Sequence, residues 1–141
     1  MTRAVIAGIG QSEFGRGLPQ TSWRLALDAA QAAAEDAGID VAEIDGVCRF
    51  VSAFEQVTIP MIVRGLGIPE LRFFAECPLG GEALGAVLGQ AVSAIESGRA
   101  STVLVYRAIS QSGDGRFGRA DDGASEGGDV VAPEADNLSF S

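Results

Sequence analysis

The sequence predicts an α/β fold of the order βαβαβαβ, with a mainly parallel sheet and a buried central helix. Three observations predict it. Short apolar runs rich in β-branched residues alternate with longer runs of helical period. The segments between successive strands are long enough to hold a crossover helix, which parallel pairing requires. Finally, 141 residues at 47% hydrophobic content suit one packed core and not two.

The first strand is expected at "AVIAGIG", residues 4–10, an apolar run ended by glycines. Thr21 or Ser22 then caps a helix whose apolar face is Trp23, Leu25, Ala26, Leu27, Ala30, Ala33, Ala34 and Ala37, and Gly38 supplies the left-handed residue after its end. A short acidic turn leads into a second strand carrying Val47, Phe50 and Val51. A short helix starts near Pro60 and is stopped by Gly65 and Gly67. The third strand is "ELRFFAE", the third helix covers residues 79–97, and "STVLVYRAI", residues 101–109, is the fourth strand. From residue 110 the chain is Gly/Ser/Asp-rich with little periodicity, which reads as a functional loop or a tail.

Composition removes several classes of function. A net charge of −9 disfavours nucleic acid, because phosphate binding relies on a surplus of Lys and Arg. No window reaches the ~18 uninterrupted apolar residues of a spanning helix, and the start has no secretory pattern, so we expect a cytoplasmic protein outside the membrane. Cys48 and Cys77 are too few for a disulfide framework or, without any histidine, for a zinc site, so no metal is expected. The lack of histidine also removes the commonest neutral-pH base, and with it any Ser-His or Cys-His couple within this chain. The acidic run Glu35, Asp36, Asp40, Glu43, Asp45 reads as solvated surface around a helix end.

The third helix carries the most unusual pattern, with Gly81, Gly85, Gly89, Ser93 and Ser97 at every fourth position. Each interior Gly costs about 1 kcal/mol against Ala, so the stripe is expected to be repaid by a second helix packed closely on it. Glycine-rich composition alone is the bland alternative. From Ala83 to Ile95 the helix is apolar nearly all round, which predicts burial on most sides.

The turn before this helix is the candidate site. Pro78 suits a first helical turn, and the N–H groups of Leu79, Gly80 and Gly81 would be free to meet a carbonyl oxygen or an anion. Cys77 could act there as a nucleophile, but Glu76 beside it opposes the thiolate and no base is present, so a packing or pocket-lining Cys77 is the readier reading. Neither "GIGQSEFG" nor "GGEALG" has the spacing of a nucleotide-phosphate loop. Tyr106, the one tyrosine, lies inside the fourth strand and reads as a core residue before an acid.

Three stretches, "AVIAGIGQSEFGR", "SWRLALDAAQAAAEDAGIDVAEIDGV" and "GGEALGAVLGQAVSAIESGRASTVLVYRA", resemble the N-terminal half of the thiolase superfamily, in its lipid-transfer-protein branch. The resemblance covers residues 4 to about 119 and implies that residues 120–141 begin the loop domain between two halves. It also implies that the third helix of each half meets the other at the centre of a layered αβαβα sandwich. Ordinary thiolases carry a nucleophilic cysteine at the N-terminus of that helix, where this chain has Gly80 or Gly81 within "LGGEAL", and Cys77 sits about one turn early.

A family branch similar to this chain in lacking the cysteine comprises the steroid side-chain aldolases, which cleave a β-hydroxyacyl-CoA by retro-aldol chemistry. The resemblance therefore implies an acyl-CoA lyase of lipid metabolism, with coenzyme A thioester as substrate and no other cofactor. Its catalytic groups would lie outside this chain. It implies a homodimer and an OB-fold, zinc-ribbon partner protein. The alternatives are a thiolase-type acyltransferase and a non-catalytic acyl-CoA-binding subunit.

Overall fold

The computed structural model of the chain describes residues 2–51, 56–78 and 83–109. Within them the order is helix α1 (Ser22–Ala37), a 3₁₀ turn (Val41–Glu43), strand β1 (Gly46–Val51), helix α2 (Ile59–Leu66), strand β2 (Phe73–Pro78), helix α3 (Ala83–Glu96) and strand β3 (Val103–Tyr106). The sheet order is β2-β1-β3 and both pairings are parallel, with Gly46 opposite Phe73 and Val103.

Local chemistry sets most boundaries as expected. The Thr21 hydroxyl accepts the Arg24 N–H at 3.2 Å, and Gly38 closes α1 at φ 68°. Pro60 falls in the first turn of α2, where its missing N–H costs nothing, and Gly67 ends that helix at φ 70°. Gly65 is not a stop. It lies inside α2, where an added Cβ would come 2.6 Å from Leu27 Cδ2 and 3.1 Å from Trp23 Cζ2, so its small size lets α2 close on α1. Trp23 Nε1 donates to the Met61 carbonyl at 3.0 Å across the same contact.

Alternation along the strands sorts the core into two faces. Val47 and Leu104 join Ala26, Leu27, Ala30, Ile59 and Ile62 on the α1/α2 face. Cys48, Phe50, Ala75, Val103 and Val105 pack with Ala83, Val87 and Ala91 on the α3 face.

Two expectations need correction. Residues 4–10 form no strand: they pair with neither neighbour, and Val5, Ile6 and Ile9 are 76–79% exposed. Instead the segment lies on α1, where Gly8 and Gly10 meet the backbone of Ala33 and Ala29 so closely that no Cβ would fit. Strand pattern alone specifies faces, not a partner, and here the helix backbone has taken the contact.

The second correction concerns α3, which within this chain is buried along Ala83, Val87, Ala91 and Ala94 only. Leu84, Leu88 and Val92 are 40–58% exposed, and a Cβ at Gly85 or Gly89 would meet no atom within 4 Å. The close helix contact in this chain is α1 with α2. Ser93 and Ser97 serve the end of their own helix, Ser97 Oγ donating to the Ser93 carbonyl at 2.6 Å and Ser93 Oγ accepting from Arg99 at 3.1 Å.

Candidate functional site at the carboxyl end of the sheet

All three strands point their carboxyl ends the same way, and in open parallel sheets that is where ligands bind. Cys77, next to last in β2, stands opposite Phe50 of β1. It is half-buried and packs on the α3-face cluster. Leu79, Gly80 and Gly81 lie outside the described residues.

Cys48 is on the same face but one register step below, opposite Ala75, and fully buried. Burial, helped by the neighbouring Cys77, pushes its thiol up to about 11. A thiol so held stays protonated near neutral pH and is no nucleophile.

On the other face the three strand ends carry a polar row that sequence reasoning missed. Arg49 of β1 is the direct register partner of both Glu76 on β2 and Tyr106 on β3. Arg49 is only 7% exposed. Its Nε donates to Glu76 Oε1 at 2.7 Å and its Nη1 to the Val57 carbonyl at 2.6 Å. Tyr106 Oη donates to that same carbonyl at 2.9 Å. Tyr106 is thus both a core residue, as expected, and a polar tether. A buried unpaired guanidinium would cost several kcal/mol, so the Glu76 carboxylate and the Val57 carbonyl are what permit its burial. The signal was present in "VCRFV", where one Arg interrupts an apolar strand. At the end of β3, the Arg107 guanidinium lies 4.7 Å from the centroid of the Phe50 ring, which extends the cationic character of this end of the sheet.

A cleft of about 560 Å³ opens beside the row's β3 side, between residues 10–18, the start of α1 and residues 107–109. Leu18, Leu25 and Ile109 give it an apolar floor, and Glu13, Arg16 and Arg107 a charged rim. Cys77, Arg49 and Glu76 do not line it. No group of three His, Cys, Asp or Glu suited to a metal occurs among the described residues, and no described helix is long and apolar enough to cross a membrane.

No established family model matches the sequence. Individual proteins do. Over 115 residues, 82% of this chain, it is 35% identical to a steroid side-chain-cleaving aldolase of Thermomonospora curvata. Over 127 residues, 90% of the chain, it is 33% identical to a 17-hydroxy-3-oxo-4-pregnene-20-carboxyl-CoA lyase of Mycobacterium tuberculosis. The chain spans 29% and 32% of the length of these relatives.

Among solved structures, an Ltp2-ChsH2(DUF35) aldolase matches 86% of the chain with TM-score 0.74 and 34% identity, over 30% of its own chain. A monomeric SCP2-thiolase-like protein of Mycobacterium smegmatis matches 71% with TM-score 0.56 and 28% identity, over 22% of its own chain. A 3-oxoacyl-[acyl-carrier-protein] synthase III of Aquifex aeolicus, 22% identical over 64% of this chain and 30% of its own at TM-score 0.53, shares the fold.

Proposed function

From a chain with this thiolase-like α/β architecture, resembling steroid side-chain-cleaving aldolases, we infer that it is the N-terminal part of an acyl-CoA aldolase. The enzyme cleaves a β-hydroxyacyl-CoA, such as a steroid side-chain thioester, by a retro-aldol reaction in the cytoplasm. The observation that carries this reading is the 35% identity to an aldolase across 82% of the chain, together with the TM-score of 0.74 to another.

In that reaction a base removes the β-hydroxyl proton, the Cα–Cβ bond breaks, and the β-carbon becomes a ketone. The electron pair passes to the thioester as an enolate, which is protonated at Cα to release a shorter acyl-CoA. The step needs a base and donors to the enolate oxygen but no covalent nucleophile. The candidates for those donors that the sequence offers are the backbone N–H groups of residues 79–81, which lie outside the described residues. The base comes from the part of the enzyme beyond this chain, since the chain has no histidine and its relatives are about three times as long.

That remaining part also covers the exposed Leu84, Leu88 and Val92 face of α3. The enzyme works as a homodimer core with a second protein of the OB-fold, zinc-ribbon type. The pairing with a DUF35 protein in a similar aldolase supports the second protein.

A second reading, acyl transfer, is favoured by the place of Cys77 at a strand end, beside α3. One experiment separates the two. The native protein, incubated with a β-hydroxyacyl-CoA of a steroid side chain, should release ketone and shorter acyl-CoA in equal amounts. No acyl-enzyme should form, and Cys77→Ala should keep most of the activity. A covalent thioester on Cys77, found by mass spectrometry, would overturn the aldolase in favour of acyl transfer.

A further inference from the structure

We propose that Arg49 is the positioning residue of this strand end: through Glu76 it fixes how β2 presents Cys77 to the α3 face. The inference rests on the aldolase reading only in taking that end of the sheet as the site.

Glu76 and Cys77 are consecutive in a strand, so their side chains leave on opposite faces. Any roll of β2 that frees the Glu76 carboxylate from Arg49 swings Cys77 out of its place against Phe50 and Ala83. β2 is an edge of the described sheet, paired on one side by β1 alone, so its own ladder resists such a roll weakly. Arg49 supplies the missing constraint from the central strand.

The guanidinium suits this role because its donors are fixed in one plane. Nε engages the neighbouring strand while Nη1 engages the Val57 carbonyl, just ahead of α2. Tyr106 holds that carbonyl from the far strand. One side chain on β1 thus ties β2 to the approach to α2, with β3 bracing the joint. An apolar residue would fill the same space without desolvating a charge. What the charge adds is direction.

The test uses the native protein and the variants Arg49→Lys, Arg49→Met and Glu76→Gln, with Arg24→Met as control. Arg24 makes a surface pair with Asp28 one helical turn away and touches none of this row. Iodoacetamide labelling is followed separately at Cys77 and Cys48 by peptide mass spectrometry, beside kcat and KM. Cys48 is the internal gauge of unfolding, being fully buried on the same face.

Arg49→Met and Arg49→Lys should change the Cys77 labelling rate about tenfold while Cys48 stays as inert as in the wild type. Glu76→Gln, which keeps an acceptor for Nε, should change it less. The kcat and KM should stay close to those of the wild type, because the retro-aldol step does not use Cys77. Arg24→Met should alter none of these.

Unchanged Cys77 labelling in both Arg49 variants would overturn the proposal. So would a joint rise at Cys77 and Cys48 in both, which would make Arg49 a stability residue only. If the native protein cleaves no C–C bond while the labelling responds as stated, the aldolase reading fails and the positioning role stands.

Discussion

The Asp45 carboxylate accepts the backbone N–H of Thr102 at 2.9 Å, joining the start of β1 to the start of β3 across 57 residues of chain. It also accepts the Ser101 N–H at 2.8 Å and the Arg72 guanidinium at 3.2 Å, ahead of β2. One side chain therefore sets where all three strands begin, and the polar row of Arg49 then ties their other ends.

Burial by itself raises the Asp45 pKa, but the N–H bonds from Thr102 and Ser101 and the Arg72 charge outweigh it, leaving the carboxyl below its ordinary 3.8. A group depressed in the folded state stabilises above its unfolded pKa, and that contribution is lost as pH falls through the folded value. The chain should thus lose stability as pH drops below about 4. Asp45→Asn keeps one acceptor and removes the charge. It should cost about 1–3 kcal/mol at pH 7, and the penalty should shrink in acid. Denaturant titrations of both forms at pH 7 and below pH 4 measure this; an equal penalty at both would exclude the linkage.

How far this was legible differs by element. The helices and β1 follow from periodicity, from Thr21 and from the glycines that end them, all of which act within one or two turns. Asp45 was read as part of a solvated run, because its partners Ser101 and Thr102 lie far away in sequence and no local signal names them. The same distance hid Arg49: the lone charge in an apolar strand was visible, but its carboxylate lay 27 residues on. Residues 4–10 have the apolar run of a buried strand, yet such a run does not say which edge receives it. Cys77 was read as part of the turn because nothing in "ELRFFAE" signals that the strand runs on to Pro78, yet it lies within β2.

The exposed edge of β2 makes a second prediction. Phe74 is 65% exposed on an edge strand, an arrangement that invites pairing with another chain. The native protein is expected to sediment as a dimer at micromolar concentration, and Phe74→Lys should shift it toward monomer. A stable wild-type monomer would remove the dimer from the proposed assembly.

The glycines of α3 give a prediction whose sign separates two structures. Around Gly65, where α1 already packs, Ala should destabilise: the overpacking cost of about 1–3 kcal/mol exceeds the gain of up to about 1 kcal/mol in helix propensity. At Gly85 and Gly89 this chain offers open space, so on its own geometry Ala would stabilise by about 0.4–1 kcal/mol. If the remainder of the enzyme lays a second helix on Leu84, Leu88 and Val92, the added methyl holds two backbones apart and the sign reverses. We expect the thermal midpoint of the native protein to fall with Gly85→Ala and with Gly89→Ala, as it does with Gly65→Ala. A fall at Gly65 with a rise at the other two would mean that nothing packs on that face of α3. The central helix pair of the proposed enzyme would then be lost, while the fold of this chain would stand.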